Sequence, residues 1–98
     1  MTDAELERLA ILVEEAAEVQ QIAMKIIRHG YDSCNPFDAD KTTNQELLQQ
    51  ELGDLTFAIQ MMVDEGDINR SDIAKHRAKK KKNIRQYLHH NIVWALAF

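Results

Sequence analysis

Residues that break helices are scarce in this chain. Its 98 residues include one proline and three glycines, and the first of these four is Gly30. Glycine and proline are the strongest local signals for turns and loops, so a sequence this poor in both favours long helices. A chain of this length fits one domain and buries a smaller share of its surface than a longer protein does. We therefore expect an all-α fold in a single domain spanning residues 1–98, assisted by a partner subunit.

Two capping boxes mark where helices begin. Thr2 with Glu5, and Thr43 with Glu46, fit the pattern in which each of the two side chains bonds the backbone N–H of the other residue. Together with the apolar periodicity, these signals predict three helices: about Asp3 to His29, about Asn44 to Glu65, and about Ser71 to His90.

The connections between helices follow from the same pattern. Gly30 and Gly66 are placed to end the first two helices in a left-handed backbone conformation. Between these helices lies a turn-rich loop, residues 31–41, which carries Tyr31 and Phe37. After the third helix we expect an apolar tail, residues 91–98, in which Trp94 docks on a neighbouring helix or subunit.

Charge and composition exclude several classes of protein. Acidic residues outnumber basic ones sixteen to twelve, so bulk charge does not attract a polyanion. The lysine run at 79–82 lacks interleaved aromatic residues and is a poor nucleic-acid footprint. No apolar run approaches the roughly 20 residues that span a bilayer. The single Cys34 cannot form an internal disulfide, and the first residues lack the features of a signal peptide, so we expect a cytoplasmic protein.

A glutamate lies in the middle of an apolar stripe on the first predicted helix. At about 100° per residue, four aliphatic residues lie within about 40° of Glu15, namely Ile11, Val19, Ile22 and Ile26. The opposite side is apolar as well, through Leu6, Leu9, Val13, Ala17, Met24 and Ile27. Three helices are too few to cover both faces. This predicts a four-helix-bundle-like assembly completed by homo-oligomerisation, as a dimer or tetramer.

The second predicted helix repeats this anomaly. Glu51 lies within a stripe of apolar residues, and Asp54 lies at its edge. An ionised side chain buried without a partner costs several kcal/mol, on the order of the stability of a small domain. Two inward-facing carboxylates on two helices are therefore rarely retained without a function.

Paired carboxylates on facing helices favour a metal site. Glu15 with Glu18, and Glu51 with Asp54, are three residues apart and share a helix face. Oxygen ligands without histidine or thiolate suit Mg²⁺, or Mn²⁺ as a substitute, and Mg²⁺ commonly binds substrate phosphates. Two alternatives stay open: Glu15 and Glu51 form structural ion pairs with lysine or arginine, and Glu14 binds the metal directly, supports the site or is solvated. Glu14 belongs to a narrow polar strip of the first helix, which also carries Glu7, Glu18, Gln21, Lys25 and Arg28.

The same residues resemble a known family. Glu14-Glu15-Ala-Ala-Glu18, followed by Glu51-Leu-Gly-Asp54, is similar to the EExxE…ExxD signature of the MazG-like, all-α nucleoside triphosphate pyrophosphohydrolases. Each half is a common helical pattern, but the two together at this separation are fairly specific. The resemblance covers roughly residues 9–88.

A third segment supports the resemblance. Lys79, Asn83, Arg85 and Tyr87 match the K-x-x-x-N-x-R-x-Y pattern that follows the metal helices in many members of the family, although Leu88 stands where proline is typical. On a continuous helix, Lys79, Asn83 and Tyr87 share one face and would line up along a triphosphate.

The resemblance implies hydrolysis of a (deoxy)nucleoside triphosphate to the monophosphate and pyrophosphate, in nucleotide-pool house-cleaning. It implies Mg²⁺ held by Glu15, Glu18, Glu51 and Asp54, with Glu14 or Glu18 as the general base. Lys79 and Arg85 would steady the leaving pyrophosphate. The loop would contact the base through Tyr31 and Asn35. Phe37 either stacks on the base as well or anchors the loop on the core, and we expect anchoring.

Two other functions remain open at this point. Phosphoribosyl-ATP pyrophosphohydrolase has a similar EExxE half, comparable length and the same metal chemistry. A catalytically silent helical bundle that binds nucleotides or a protein partner would keep the carboxylates as structural groups.

Overall fold

The computed structural model describes residues 1–91, so all of the expected tail at 91–98 except its first residue, Trp94 included, lies outside the described residues. Three α-helices follow one another: α1 (Asp3–His29), α2 (Asn44–Asp64) and α3 (Arg70–Asn83). A short 3₁₀ helix, Ile84–Tyr87, comes after α3. Residues 1–91 contain no β-strand, only an isolated bridge between Cys34 and Thr43. The prediction of an all-α chain with three helices is confirmed.

Both helix starts form at the capping residues. The Thr2 hydroxyl accepts the Glu5 N–H at 3.1 Å, and the Glu5 carboxylate accepts the Thr2 N–H at 2.9 Å. At the second start the Thr43 hydroxyl accepts the Glu46 N–H at 3.2 Å, but the reciprocal bond from the Glu46 side chain is not formed, so the prediction of a full capping box there is wrong. These bonds satisfy backbone donors that have no partner within the helix. The bounds predicted for α1 are confirmed, and α2 ends one residue before its predicted end.

The helix-ending glycines both adopt a positive φ. Gly30 has φ 91° and ψ 164°, and Gly66 has φ 82°. Side chains with a Cβ rarely adopt such φ values, which explains glycine at both positions. The prediction for Gly30 is right in the sign of φ but wrong in detail, because its ψ lies far from the left-handed helical value.

The third helix is shorter than predicted. The pattern indicated an α-helix to His90, but α3 ends at Asn83 and the backbone tightens into the 3₁₀ helix. All fourteen residues of α3 are exposed, so no apolar stripe packs to prolong it, and asparagine is a weak helix former. A 3₁₀ turn is a common way for an α-helix to end.

Two compact units divide the chain, the first spanning Met1–Asp67 and the second beginning at Ile68. In the first unit α1 and α2 pack together as a helical hairpin. Its core is small: Ile22, Ala58 and Met62 are the buried apolar residues of the described part. The second unit contains α3 and the 3₁₀ helix.

Polar contacts fix both ends of the hairpin. At one end the Arg8 guanidinium forms a two-point ion pair with Asp67, with Nη2 2.8 Å from Oδ1. At the other, fully buried Asn44 donates its amide to the Gly30 carbonyl at 3.0 Å and its backbone N–H to the Ser33 carbonyl at 2.8 Å. These bonds tie the loop to the start of α2 and set the register in which α1 and α2 face each other.

One apolar face of α1 remains exposed in the described part of the chain. Leu6, Val13, Met24 and Ile27 are between 51% and 74% exposed. Their angular positions fall within about 60° of one another around the helix. The sequence predicted this second apolar face. Separately, the helices within residues 1–91 include none long and apolar enough to cross a membrane.

Candidate metal centre

Four carboxylates from two helices meet between α1 and α2. Glu15 and Glu18 come from α1, and Glu51 and Asp54 from α2. Each offers one oxygen, and these four oxygens all lie within 4.8 Å of one another. The spacing of three residues places each pair on one helix face, and the register of the hairpin brings the two faces together. The structure thus assembles the group that the sequence singled out.

Burial within this cluster is uneven. Glu15, Glu18 and Glu51 are half-buried, whereas Asp54 is exposed. The Oε2 atoms of Glu15 and Glu51 are each buried and have no hydrogen-bond partner. A buried polar atom without a partner costs roughly 1–3 kcal/mol, more if charged. Two such atoms in one cluster indicate that something absent from the polypeptide satisfies them.

The electrostatics of the cluster favour protonation when no cation is bound. The hydrogen bond to Glu18, followed by burial and by the negative charges of Glu18 and Asp54, raises the pKa of Glu51 to about 7. Burial and then the same two charges raise the pKa of Glu15. A carboxyl is normally ionised at neutral pH. The raised pKa values of Glu15 and Glu51 therefore show that burial and repulsion between the carboxylates disfavour the ionised form in this cluster.

No basic neighbour within residues 1–91 acts on Glu15 or Glu51. The charges that shift the pKa of these two carboxyls all belong to other acidic residues of α1 and α2, and the Oε2 atom of each has no partner. Glu15 and Glu51 therefore do not form the structural ion pairs with lysine or arginine that the sequence left open.

The donor set fits a small hard cation. All four candidate ligands are carboxylate oxygens, a set that suits Mg²⁺ or Mn²⁺ rather than zinc. A divalent cation would supply partners for the two orphaned oxygens and oppose the charge that raises both pKa values. The residues present thus fit the metal that the sequence predicts.

Glu14 stands apart from the four. It is exposed, as its place on the polar strip of α1 predicted. Together with Glu18 and Arg28 it lines a shallow depression on the surface of α1. This position leaves Glu14 in contact with solvent beside the cluster, where it can accept a proton but is not one of the grouped ligands.

The aromatic residues of the loop are exposed. Phe37 is 95% exposed, so the prediction that it anchors the loop is wrong. The loop is held by its own polar bonds instead: the Asn35 carboxamide oxygen accepts the Phe37 N–H at 2.9 Å, and the Asn35 carbonyl accepts the Asp38 N–H at 3.0 Å. Tyr31 is 54% exposed.

The basic segment lies in the second unit. Lys79 and Asn83 are one turn apart on exposed α3, as predicted. Tyr87 does not continue their line, because it belongs to the 3₁₀ helix, and its ring lies 5.8 Å from the Lys80 ammonium instead. The prediction of one face shared by Lys79, Asn83 and Tyr87 is wrong for Tyr87. Arg85 lies in the same 3₁₀ helix.

Two cavities differ in chemistry. One of about 750 Å³ in the second unit has no acidic residue in its lining, which comprises Ala74, Arg77, Ala78, Lys80, Lys81, Ile84, Leu88 and Asn91. The other, of about 540 Å³, lies between α1 and α2 and includes Glu18 and Glu51. Only the second is therefore part of the carboxylate site.

Sequence reasoning missed the basic residues of the smaller cavity. Lys25 and Arg28 line it together with Gln21, Ile22 and Leu47. The signal was present in the sequence, because Glu18, Gln21, Lys25 and Arg28 follow one helix face from the acidic motif towards the end of α1. From the sequence, Lys25 and Arg28 were placed on the polar strip of the first helix and were given no function.

Comparison with known proteins adds no relative: no family model, curated protein or solved structure matches this chain.

Proposed function

We propose that this protein is a Mg²⁺-dependent nucleoside triphosphate pyrophosphohydrolase of the MazG-like kind. The observation that carries the proposal is the cluster of four carboxylates with two buried oxygens that lack partners. A structural cluster would be expected to contain a basic residue, whereas the four grouped residues are all acidic and the charges acting on Glu15 and Glu51 come from acidic neighbours. A site built to receive a cation explains both facts.

The residues divide the work as follows. Glu15, Glu18, Glu51 and Asp54 would hold Mg²⁺, which when bound neutralises phosphate charge and lowers the pKa of a coordinated water. Glu14 or Glu18 accepts a proton from the water that attacks the α-phosphorus. The bond from the α-phosphorus to the bridging oxygen breaks, and pyrophosphate leaves as the monophosphate forms. Exposed Glu14 can pass the proton on to solvent.

Recognition of the substrate involves the loop and the basic segment. Tyr31 is exposed and available to stack on a base, and exposed Asn35 keeps its amide N–H groups to bond the edge of that base. Lys79 and Arg85 steady the pyrophosphate in this proposal, and Asn83 and Tyr87 contact the substrate.

The test is pyrophosphate release from a panel of common and modified nucleoside triphosphates and from phosphoribosyl-ATP, with Mg²⁺ or with EDTA. We expect release from at least one nucleoside triphosphate, lost on chelation and restored by Mg²⁺ or Mn²⁺. Release from phosphoribosyl-ATP alone would select that activity instead. No metal-dependent release from any compound would show that the protein is not this enzyme.

We also propose that the protein is a homodimer or a tetramer. The exposed apolar face of α1 supports this, since four large apolar side chains on one face of one helix are suited to burial in a helix-to-helix interface. Light scattering at micromolar concentration should give a multiple of the 11.3 kDa chain mass. Changing Val13 and Ile27 together to Glu should lower that mass, whereas changing exposed Glu7 to Gln should not. A wild-type monomer would contradict the proposal.

A further inference from the structure

Two basic residues share a cavity with the carboxylate cluster. Lys25 and Arg28 of α1 line the 540 Å³ space that also includes Glu18 of α1 and Glu51 of α2. Arg28 lies ten residues after Glu18, which is about 15 Å along the helix. The cavity therefore runs from acidic groups to basic groups within the first unit.

These cations have no counterion in the described structure. No acidic residue of α1 lies three or four positions from Lys25 or Arg28, the spacing at which helix side chains pair. Among residues 1–91 neither side chain takes part in a hydrogen bond or an ion pair. The two are also three positions apart, so their like charges oppose each other on the helix surface. This arrangement is unfavourable unless an anion lies between or beside them.

The helix dipole accounts for only part of this arrangement. Arg28 lies in the last turn of α1, where the partial negative charge of the helix end favours a cation. Lys25 lies before that turn, and the dipole effect decays within one turn. Lys25 is also half-buried, unlike a lysine on a solvated surface. Its place at the cavity thus needs another cause.

The direction of helix side chains links the two ends of the cavity. Side chains on an α-helix lean towards its N-terminus, so Lys25 leans over the turn that carries Gln21 and Arg28 leans over the turn that carries Lys25, both in the direction of Glu18. Glu18 and Glu51 would hold the cation at one part of this cavity, and an anion drawn to that cation would share the cavity with Lys25 and Arg28. Ammonium and guanidinium groups are the side chains best suited to phosphate oxygens.

We propose that Lys25 and Arg28 bind the phosphate groups of the substrate in this cavity. The inference rests on the proposed function and adds to it a phosphate-binding pair that belongs to the same compact unit as the carboxylates. The pair selects ligands by their phosphate charge, independently of the base and sugar.

The test measures binding rather than turnover. Isothermal titration gives the affinity of the full chain for inorganic pyrophosphate in the presence of Mg²⁺, and separately for Mg²⁺ alone. Three variants are compared with wild type: Lys25→Gln with Arg28→Gln, the charge-preserving Lys25→Arg, and Lys41→Gln. Lys41 is the matched control, because it is a cation of the same unit whose ammonium bonds the Pro36 carbonyl in the loop.

We expect the double variant to bind pyrophosphate about 10- to 100-fold more weakly, the loss typical of charge-assisted hydrogen bonds. Lys25→Arg and Lys41→Gln should stay within about 3-fold of wild type, and all variants should keep their affinity for Mg²⁺. Three results would each overturn the proposal: wild type fails to bind pyrophosphate, the double variant binds it like wild type, or Lys41→Gln loses as much. If the expected losses occur in a protein that hydrolyses no triphosphate, the phosphate site stands and the proposed hydrolase does not.

Discussion

Changing Glu51 to Gln is expected to lower metal-dependent pyrophosphate release at least about 100-fold, since even partners behind metal ligands contribute 10- to 100-fold. Glu51 is central to the cluster: its Oε2 atom is buried without a partner, and Glu15, Glu18 and Asp54 all raise its pKa. Gln keeps the shape of the side chain but removes one charge and replaces one acceptor oxygen with a donor amide. A cation site would lose both affinity and geometry.

The loss of activity should accompany a gain in stability of the metal-free protein at neutral pH. Removing one of four crowded carboxylates relieves their repulsion, so Glu51→Gln should melt at a higher temperature than wild type in EDTA. This combination separates a lost metal site from a misfolded variant. The matched control is Glu46→Gln, which makes the same chemical change at an exposed position of α2 and should leave activity within about 2-fold. Full activity in Glu51→Gln would contradict the assignment of Glu51.

Local signals in the sequence were sufficient to predict α1 and α2. Their starts depend on Thr2 and Thr43, whose hydroxyls bond backbone N–H groups three residues on, and such bonds involve neighbours in the chain. The ends depend on glycines with positive φ, again a local property. For the same reason α3 was predicted too long: its end depends on packing, and a helix with every residue exposed has none to prolong it.

The carboxylate cluster was foreseeable because helical periodicity places Glu15 and Glu51 inside apolar stripes. Whether the two stripes face each other in the right register depends on contacts between distant residues. The ion pair joining Arg8 to Asp67 spans 59 positions, and no local pattern announces it. Likewise, Lys25 and Arg28 gain significance only when α2 brings Glu51 and Leu47 to the other side of the cavity.

The loop shows the opposite error. Phe37 was expected to pack because aromatic residues usually do. The turn is instead held by the Phe37 N–H bonding the Asn35 side chain and by the Asp38 N–H bonding the Asn35 carbonyl, so it does not need the Phe37 ring. The sequence could not reveal that this phenylalanine is almost fully exposed within the candidate recognition loop.

Metal-free protein is expected to become less stable as the pH rises from about 5 to 7.5. The pKa of Glu51 is raised from the ordinary 4.5 to about 7 in the folded state, so the folded protein binds more protons than the unfolded chain across that interval. Stability then falls with rising pH, by up to about 2 kcal/mol for this group. Glu5, Asp38 and Asp67 do not alter the sign, because their lowered pKa values act below the ordinary carboxyl range.

Magnesium should reverse this trend, because it binds the deprotonated cluster and stabilises the folded state by mass action. Chemical unfolding in EDTA and in 10-fold excess of Mg²⁺ over its dissociation constant, at several pH values between 5 and 7.5, measures both effects. Mg²⁺ should add about 1.4 kcal/mol at pH 7.5 and much less at pH 5. In Glu51→Gln the free energy of unfolding should depend much less on pH, and Mg²⁺ should raise it much less, than in wild type. Glu46→Gln should behave like wild type in both respects. If the stability of the metal-free protein rises between pH 5 and 7.5, repulsion among the carboxylates does not destabilise the folded state. The physical argument for a cation site would then be wrong.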